Sequence, residues 1–112
     1  MNKEYTIITK DEFEKSIYIE NNEDFTKKEI ASLPYDLKID TNNYLSIMSL
    51  YDRTCLKYIR ITKTKDEWFY VRYDNYYHYK CDQITGLINC IDNILSSISL
   101  IDSYSYNILS NL

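Results

Sequence analysis

Glycine, proline, alanine and valine are almost absent from this chain: Gly86, Pro34, Ala31 and Val71 are the sole example of each in 112 residues. A single glycine leaves no Gly-rich loop to wrap a phosphate group. His78 is the only histidine, so nucleophilic catalysis by an imidazole base has one candidate and no spare. The three cysteines, Cys55, Cys81 and Cys90, are odd in number and follow no apolar leader, which excludes a disulfide framework in the usual sense. They read as small packed hydrophobes in a reducing, intracellular setting. No apolar run approaches the length of a membrane span, so no membrane association is expected. No linker, repeat or low-complexity segment divides residues 1–112, and a chain of this length is expected to form one domain with one core.

The abundant residues are Ile, Lys, Asn and Tyr, whose codons are A/T-rich, as in the genomes of large DNA viruses, some parasites and low-GC bacteria. Such a bias needs no functional cause. The formal charge is −4, which argues against a protein that coats nucleic acid over its whole surface. The charge is uneven, however. Residues 1–52 sum to −5, residues 53–80 to +4, and residues 81–112 contain three acids and no base. Either the halves neutralise each other in the fold or the middle presents a local basic surface.

Two helix starts are written near the N-terminus. Thr9 with Glu12, and Thr26 with Glu29, have the spacing of a capping box, in which a hydroxyl and a carboxylate satisfy each other's free backbone N–H groups. The second also has Phe25 before the cap and Ile30 four residues after it, the spacing of a hydrophobic staple. Pro34 then ends the helix, which is expected over 27–33. After the first box, residues 16–20 read equally well as a strand. From Tyr35 the hydrophobic period becomes two, and turn clusters at 41–43, 52–54, 63–66 and 74–75 separate about five strands. Such an order is an antiparallel meander. After Cys81 the period is helical again. Asp82 is a candidate N-cap, and Ile84, Leu87, Ile88, Ile91, Ile94, Leu95 and Ile98 form one apolar stripe. The stripe resumes at Ile101, Ile108 and Leu112, long enough to consider a seam between two copies as well as a helix packed on its own sheet. The expected architecture is therefore α+β: an antiparallel β-meander with a short N-terminal helix and a longer C-terminal helix packed on the sheet.

Residues 56–81 hold the only Trp and a dense group of Tyr, interleaved with Lys and Arg. Alternation along the strands places Ile59, Ile61, Phe69, Val71 and Tyr73 on a core face, joined by Tyr77, Tyr79 and Cys81. The other face then holds Tyr58, Arg60, Thr62, Trp68, Tyr70 and Arg72, with Tyr76, His78 and Lys80 beside them. Rings among cations suit a protein partner, and they also suit single-stranded nucleic acid, which offers bases to stack and phosphates to neutralise.

Other chemistry is poorly supported. His78, Cys81, Cys90 and Cys55 lack the paired spacing of zinc arms. Cys81 and His78 fall on opposite strand faces, and the acids Glu12, Glu14, Glu23 and Asp24 belong to helix starts, where the helix dipole favours them. The chain is expected to be non-catalytic, without a cofactor or metal. Its expected role is binding a protein partner or a second copy of itself, with Tyr58, Arg60, Trp68, Tyr70 and Arg72 as contact residues. Nucleic-acid binding through the same face is the alternative.

Overall fold

The computed structural model describes residues 4–39, 44–48 and 55–110, and side chains within 4–39, 44–47 and 59–97. In chain order the elements are β1 (Thr6–Ile7), α1 (Lys10–Ser16), a 3₁₀ turn (Ile19–Asn21), β2 (Asn22–Glu23) and α2 (Lys27–Ser32). Then follow β3 (Leu37–Ile39), β4 (Leu45–Met48), β5 (Cys55–Thr64), β6 (Phe69–Tyr73), β7 (Tyr77–Cys81) and α3 (Ile84–Ser110). Strands β3 to β7 form the expected antiparallel meander, with β1 added at the β7 edge and β2 paired to the far end of β5. The two added strands have two residues each, too few for any alternation to show in sequence. The expected turns at 41–43 and 52–54, the end of the strand expected over 44–51, and the side chains of Cys55, Tyr58, Ile98, Ile101, Ile108 and Leu112 lie outside the described residues.

Local chemistry accounts for the helix starts. Thr9 Oγ1 accepts the Glu12 N–H at 3.1 Å, so the first cap forms. Its reciprocal half does not, because the Glu12 carboxylate reaches Lys80 instead, 3.3 Å away. The second capping box is complete, with Thr26 N–H donating to Glu29 Oε1 at 2.8 Å and Glu29 N–H to Thr26 Oγ1 at 3.1 Å. α3 starts one residue later than Asp82 would place it, since Leu87 N–H donates to the Gln83 carbonyl. The β5–β6 hairpin turns through Lys65, Asp66 and Glu67, with Thr64 N–H donating to the Trp68 carbonyl at 3.0 Å. Glu67 adopts φ 66° there, the left-handed residue that a three-residue hairpin loop needs.

The register matches the alternation, except that Tyr77, expected in the core, is 52% exposed at the start of β7, where it stacks on Tyr73. Ile61 faces Val71, which faces Tyr79, and Phe69 faces Cys81. These side chains meet Leu87, Cys90, Ile91 and Ile94 of α3, while Leu45, Ile47 and Leu33 extend the same core. Ile59, Ile61, Val71, Leu87 and Ile91 are wholly buried, each contributing roughly 1.5–3 kcal/mol by leaving water. Phe25 stacks on Phe69 at 5.8 Å and brings α2 to this layer.

The N-terminal strand is strapped to α3. Asn89 Nδ2 donates to Glu4 Oε2 at 3.0 Å, and Asn93 Nδ2 donates to the Tyr5 hydroxyl at 2.7 Å. These two Asn lie one turn apart, in line with Gly86, on one helix face. A Cβ on Gly86 would collide with the Glu4 backbone carbonyl and lie 3.2 Å from Cys81 Cβ. The cost of glycine inside a helix is thus explained by the close approach of another backbone. Gly86→Ala is expected to destabilise the protein. Overpacking costs about 1–3 kcal/mol against roughly 1 kcal/mol gained in helix propensity. Thermal unfolding checks it, and an unchanged or raised Tm would show that the strap yields freely.

Candidate binding face

The meander register aligns one row of outer-face residues across five strands. Lys38 pairs with Ser46, Ser46 with Arg60, Arg60 with Arg72, and Arg72 with His78. The neighbouring row is Thr62, Tyr70, Lys80 and Thr6. Basic side chains four strands apart in space, and forty residues apart in sequence, are gathered by pairing alone.

Helix α1 lies over part of this face. Its single buried residue, Phe13, meets Tyr70 edge-on at 6.3 Å and the His78 ring at 4.7 Å. Tyr70 is only 6% exposed and His78 4%. Lys80 Nζ sits 5.0 Å over the Trp68 ring and also pairs with Glu12. Phe13 is the residue that the sequence reading passed over. The signal was present: it is the one apolar side chain in the run from Lys10 to Ser16, and such a side chain needs a surface to cover.

The five contact residues expected from sequence therefore do not form one patch. Tyr70 is beneath Phe13, and Trp68 faces Lys80. Trp68 and Arg72 are separated by roughly 13 Å of strand. Tyr58 belongs to β5, with its side chain outside the described residues. Arg60 and Arg72 remain together, directly opposite each other and half-buried.

The electrostatics of that pair are unusual. Like charges directly opposite on a sheet are destabilising. Among the described residues neither guanidinium is in an ion pair, and both Nε atoms are buried without a hydrogen-bond partner. Burial and the adjacent Arg60 charge pull the Arg72 guanidinium below its usual value, opposed by Tyr44. Arg60 lies over the Tyr44 ring at 5.7 Å. At the end of the row, burial, Arg72 and Lys10 hold the His78 imidazole below its usual 6.5, with Glu14 acting the other way. His78 is thus mostly neutral at pH 7.

Other regions offer less. Burial, then Asp82, pushes the Cys81 thiol up to about 12, and burial with Cys81 nearby raises Cys90 as well; neither is a nucleophile at neutral pH. His78 and Cys81 do lie on opposite sheet faces. Among the described residues no three His, Cys, Asp or Glu gather as a metal site requires. A recess of about 250 Å³ is lined by Asp24, Phe25, Ile30, Ile39 and Leu45, below the usual 300–1,000 Å³ of ligand pockets and without convergent polar groups. No described helix is long and apolar enough to cross a membrane. Comparison with protein-family models, curated proteins and solved structures finds no match.

Proposed function

We propose that this chain is a non-catalytic interaction domain that holds a protein partner against the Arg60–Arg72 half of its outer sheet face. The observation that supports the reading is the pair itself: two opposed cations, partly withdrawn from water, with no carboxylate beside them among the described residues. A fold gains nothing from such a pair, whereas a partner with complementary charge does. The covering of Tyr70 and the Lys80 contact on Trp68 remove two stacking platforms that single-stranded nucleic acid would use. Self-association through a two-fold contact centred on this row would bring arginine against arginine, so a different protein suits the surface better than a second copy.

The test compares the folded wild-type chain with an Arg60→Gln/Arg72→Gln variant in capture from native extracts, followed by affinity measurement on the proteins recovered. Truncating desolvated charges at an interface costs about 2–5 kcal/mol, so affinity should drop at least roughly 30-fold. An unchanged set of captured proteins at unchanged affinity would sink the reading. Titration with a labelled single-stranded oligonucleotide runs beside it. Tight binding that weakens steeply with salt would move the assignment to nucleic acid.

A further inference from the structure

We propose that Arg60 and Arg72 together form a site for one oxyanion, a carboxylate or phosphate group, seated between their two guanidinium forks. The inference rests on the protein-binding reading above and names the chemical group that a partner would insert. Residues directly opposite on antiparallel strands have Cα atoms about 4.5–5.5 Å apart, so these side chains start from neighbouring positions on one face. A guanidinium holds its donors in a rigid fork and grips carboxylate or phosphate through two parallel N–H bonds. Each Nε–H here is enclosed in the fold without an acceptor, so one donor of each fork is unspent, while the half-buried side chains themselves still reach the surface. Tyr44 under Arg60 orients the first fork before any ligand arrives.

The row also lacks what a structural ion network contains. From Lys38 to His78 it reads lysine, serine, arginine, arginine, imidazole, with no acid in the register. Among the described residues, the acids of α1 over this face are engaged elsewhere: Glu12 pairs with Lys80, and Glu14 with Lys10. An incoming anion would pair with both guanidinium groups and cancel the repulsion between the arginines at once.

The experiment needs no partner. The ¹⁵N-labelled full chain is titrated with inorganic phosphate, and separately with acetate, against sodium chloride at matched ionic strength. The arginine Nε–Hε resonances are followed, assigned through Arg60→Lys and Arg72→Lys. Saturable shifts are expected at both Arg60 and Arg72 but not at Arg53, with a dissociation constant on the order of 1–10 mM for so small a ligand. Tighter phosphate binding would point to a phosphoryl group on the partner, and tighter acetate binding to a carboxylate side chain or chain end. In parallel, Arg72→Met is expected to keep or raise the Tm in chloride and to abolish the anion-induced rise. Shifts no larger than those of chloride, or a variant that still responds like wild type, would overturn the site. An anion response without partner capture would leave the site standing and remove the protein-binding reading; the reverse would remove only the oxyanion.

Discussion

Phe13→Ala is expected to cost about 3–4 kcal/mol, the lower part of the range for removing a buried aromatic side chain. That is a large share of a stability that for a domain of this size lies near 5–15 kcal/mol. Phe13 is 4% exposed and is the only buried residue of α1, so its ring is the main attachment between this helix and the sheet. Without it, α1 retains the Thr9 cap and the Glu12–Lys80 pair, and exposed pairs contribute at most about 1 kcal/mol. The second readout is His78. Its folded value lies below 6.5 because burial, Arg72 and Lys10 disfavour the imidazolium. The unfolded chain therefore binds the proton more readily, and stability rises with pH through that window. In the wild type this contribution is complete above about pH 6.5 and is lost as the pH falls toward the depressed folded value. In Phe13→Ala the ring is uncovered, its titration returns toward 6.5, and the dependence flattens. Denaturant unfolding with NMR titration of His78 checks both. A loss under about 1 kcal/mol with an unshifted His78 would mean that α1 does not seal this face.

Lys63→Ala should cost about 3 kcal/mol, the lower end for breaking a buried ion pair from one side. Lys63 is 8% exposed and faces Phe69 across the hairpin, on the core side of the sheet. Its Nζ lies 2.9 Å from Glu29 and 3.8 Å from Glu23, tying both α2 and β2 to β5. Glu29 Oε1 also accepts the Thr26 N–H, so one carboxylate caps α2 and fastens it to the sheet. Burial alone would raise the Glu29 value, but the Thr26 N–H and the Lys63 ammonium outweigh it and hold the carboxyl below 4.5. A depressed carboxyl stabilises the fold above its ordinary value, and that contribution is lost as the pH falls through the folded value. Lys63→Met should reduce this acid sensitivity and destabilise the protein, and adding Glu29→Gln should recover part of the loss. A double-mutant cycle by denaturant unfolding measures the coupling. Additive single changes, with no coupling energy, would show that Glu29 is adequately served by Thr26 alone.

Much of the architecture was legible because it depends on neighbours in the chain. The complete Thr26–Glu29 box, the stop at Pro34, the period-two strands and the stripe from Ile84 to Leu95 are all local patterns, and the structure contains each of them. The inner face of the meander was legible too: once Ile61 and Val71 point inward, alternation commits Phe69, Tyr79 and Cys81. Less could be read of β1 and β2, which exist only as hydrogen-bond complements to β7 and β5.

The binding face shows the boundary between the two kinds of information most clearly. By itself the sequence determined that Arg60, Tyr70, Arg72 and His78 would share the face opposite the core, because the side-chain period of a strand is two. Only the tertiary structure decided which of them meets solvent. A covering helix arrives from about sixty residues upstream, and Phe13 lands on Tyr70 and His78 but leaves the arginines beside it uncovered by that ring. Periodicity records the direction in which a side chain leaves its own strand. It contains no record of what another part of the chain later lays on top, because that depends on where loops deliver a distant element and on which apolar surfaces remain to be buried.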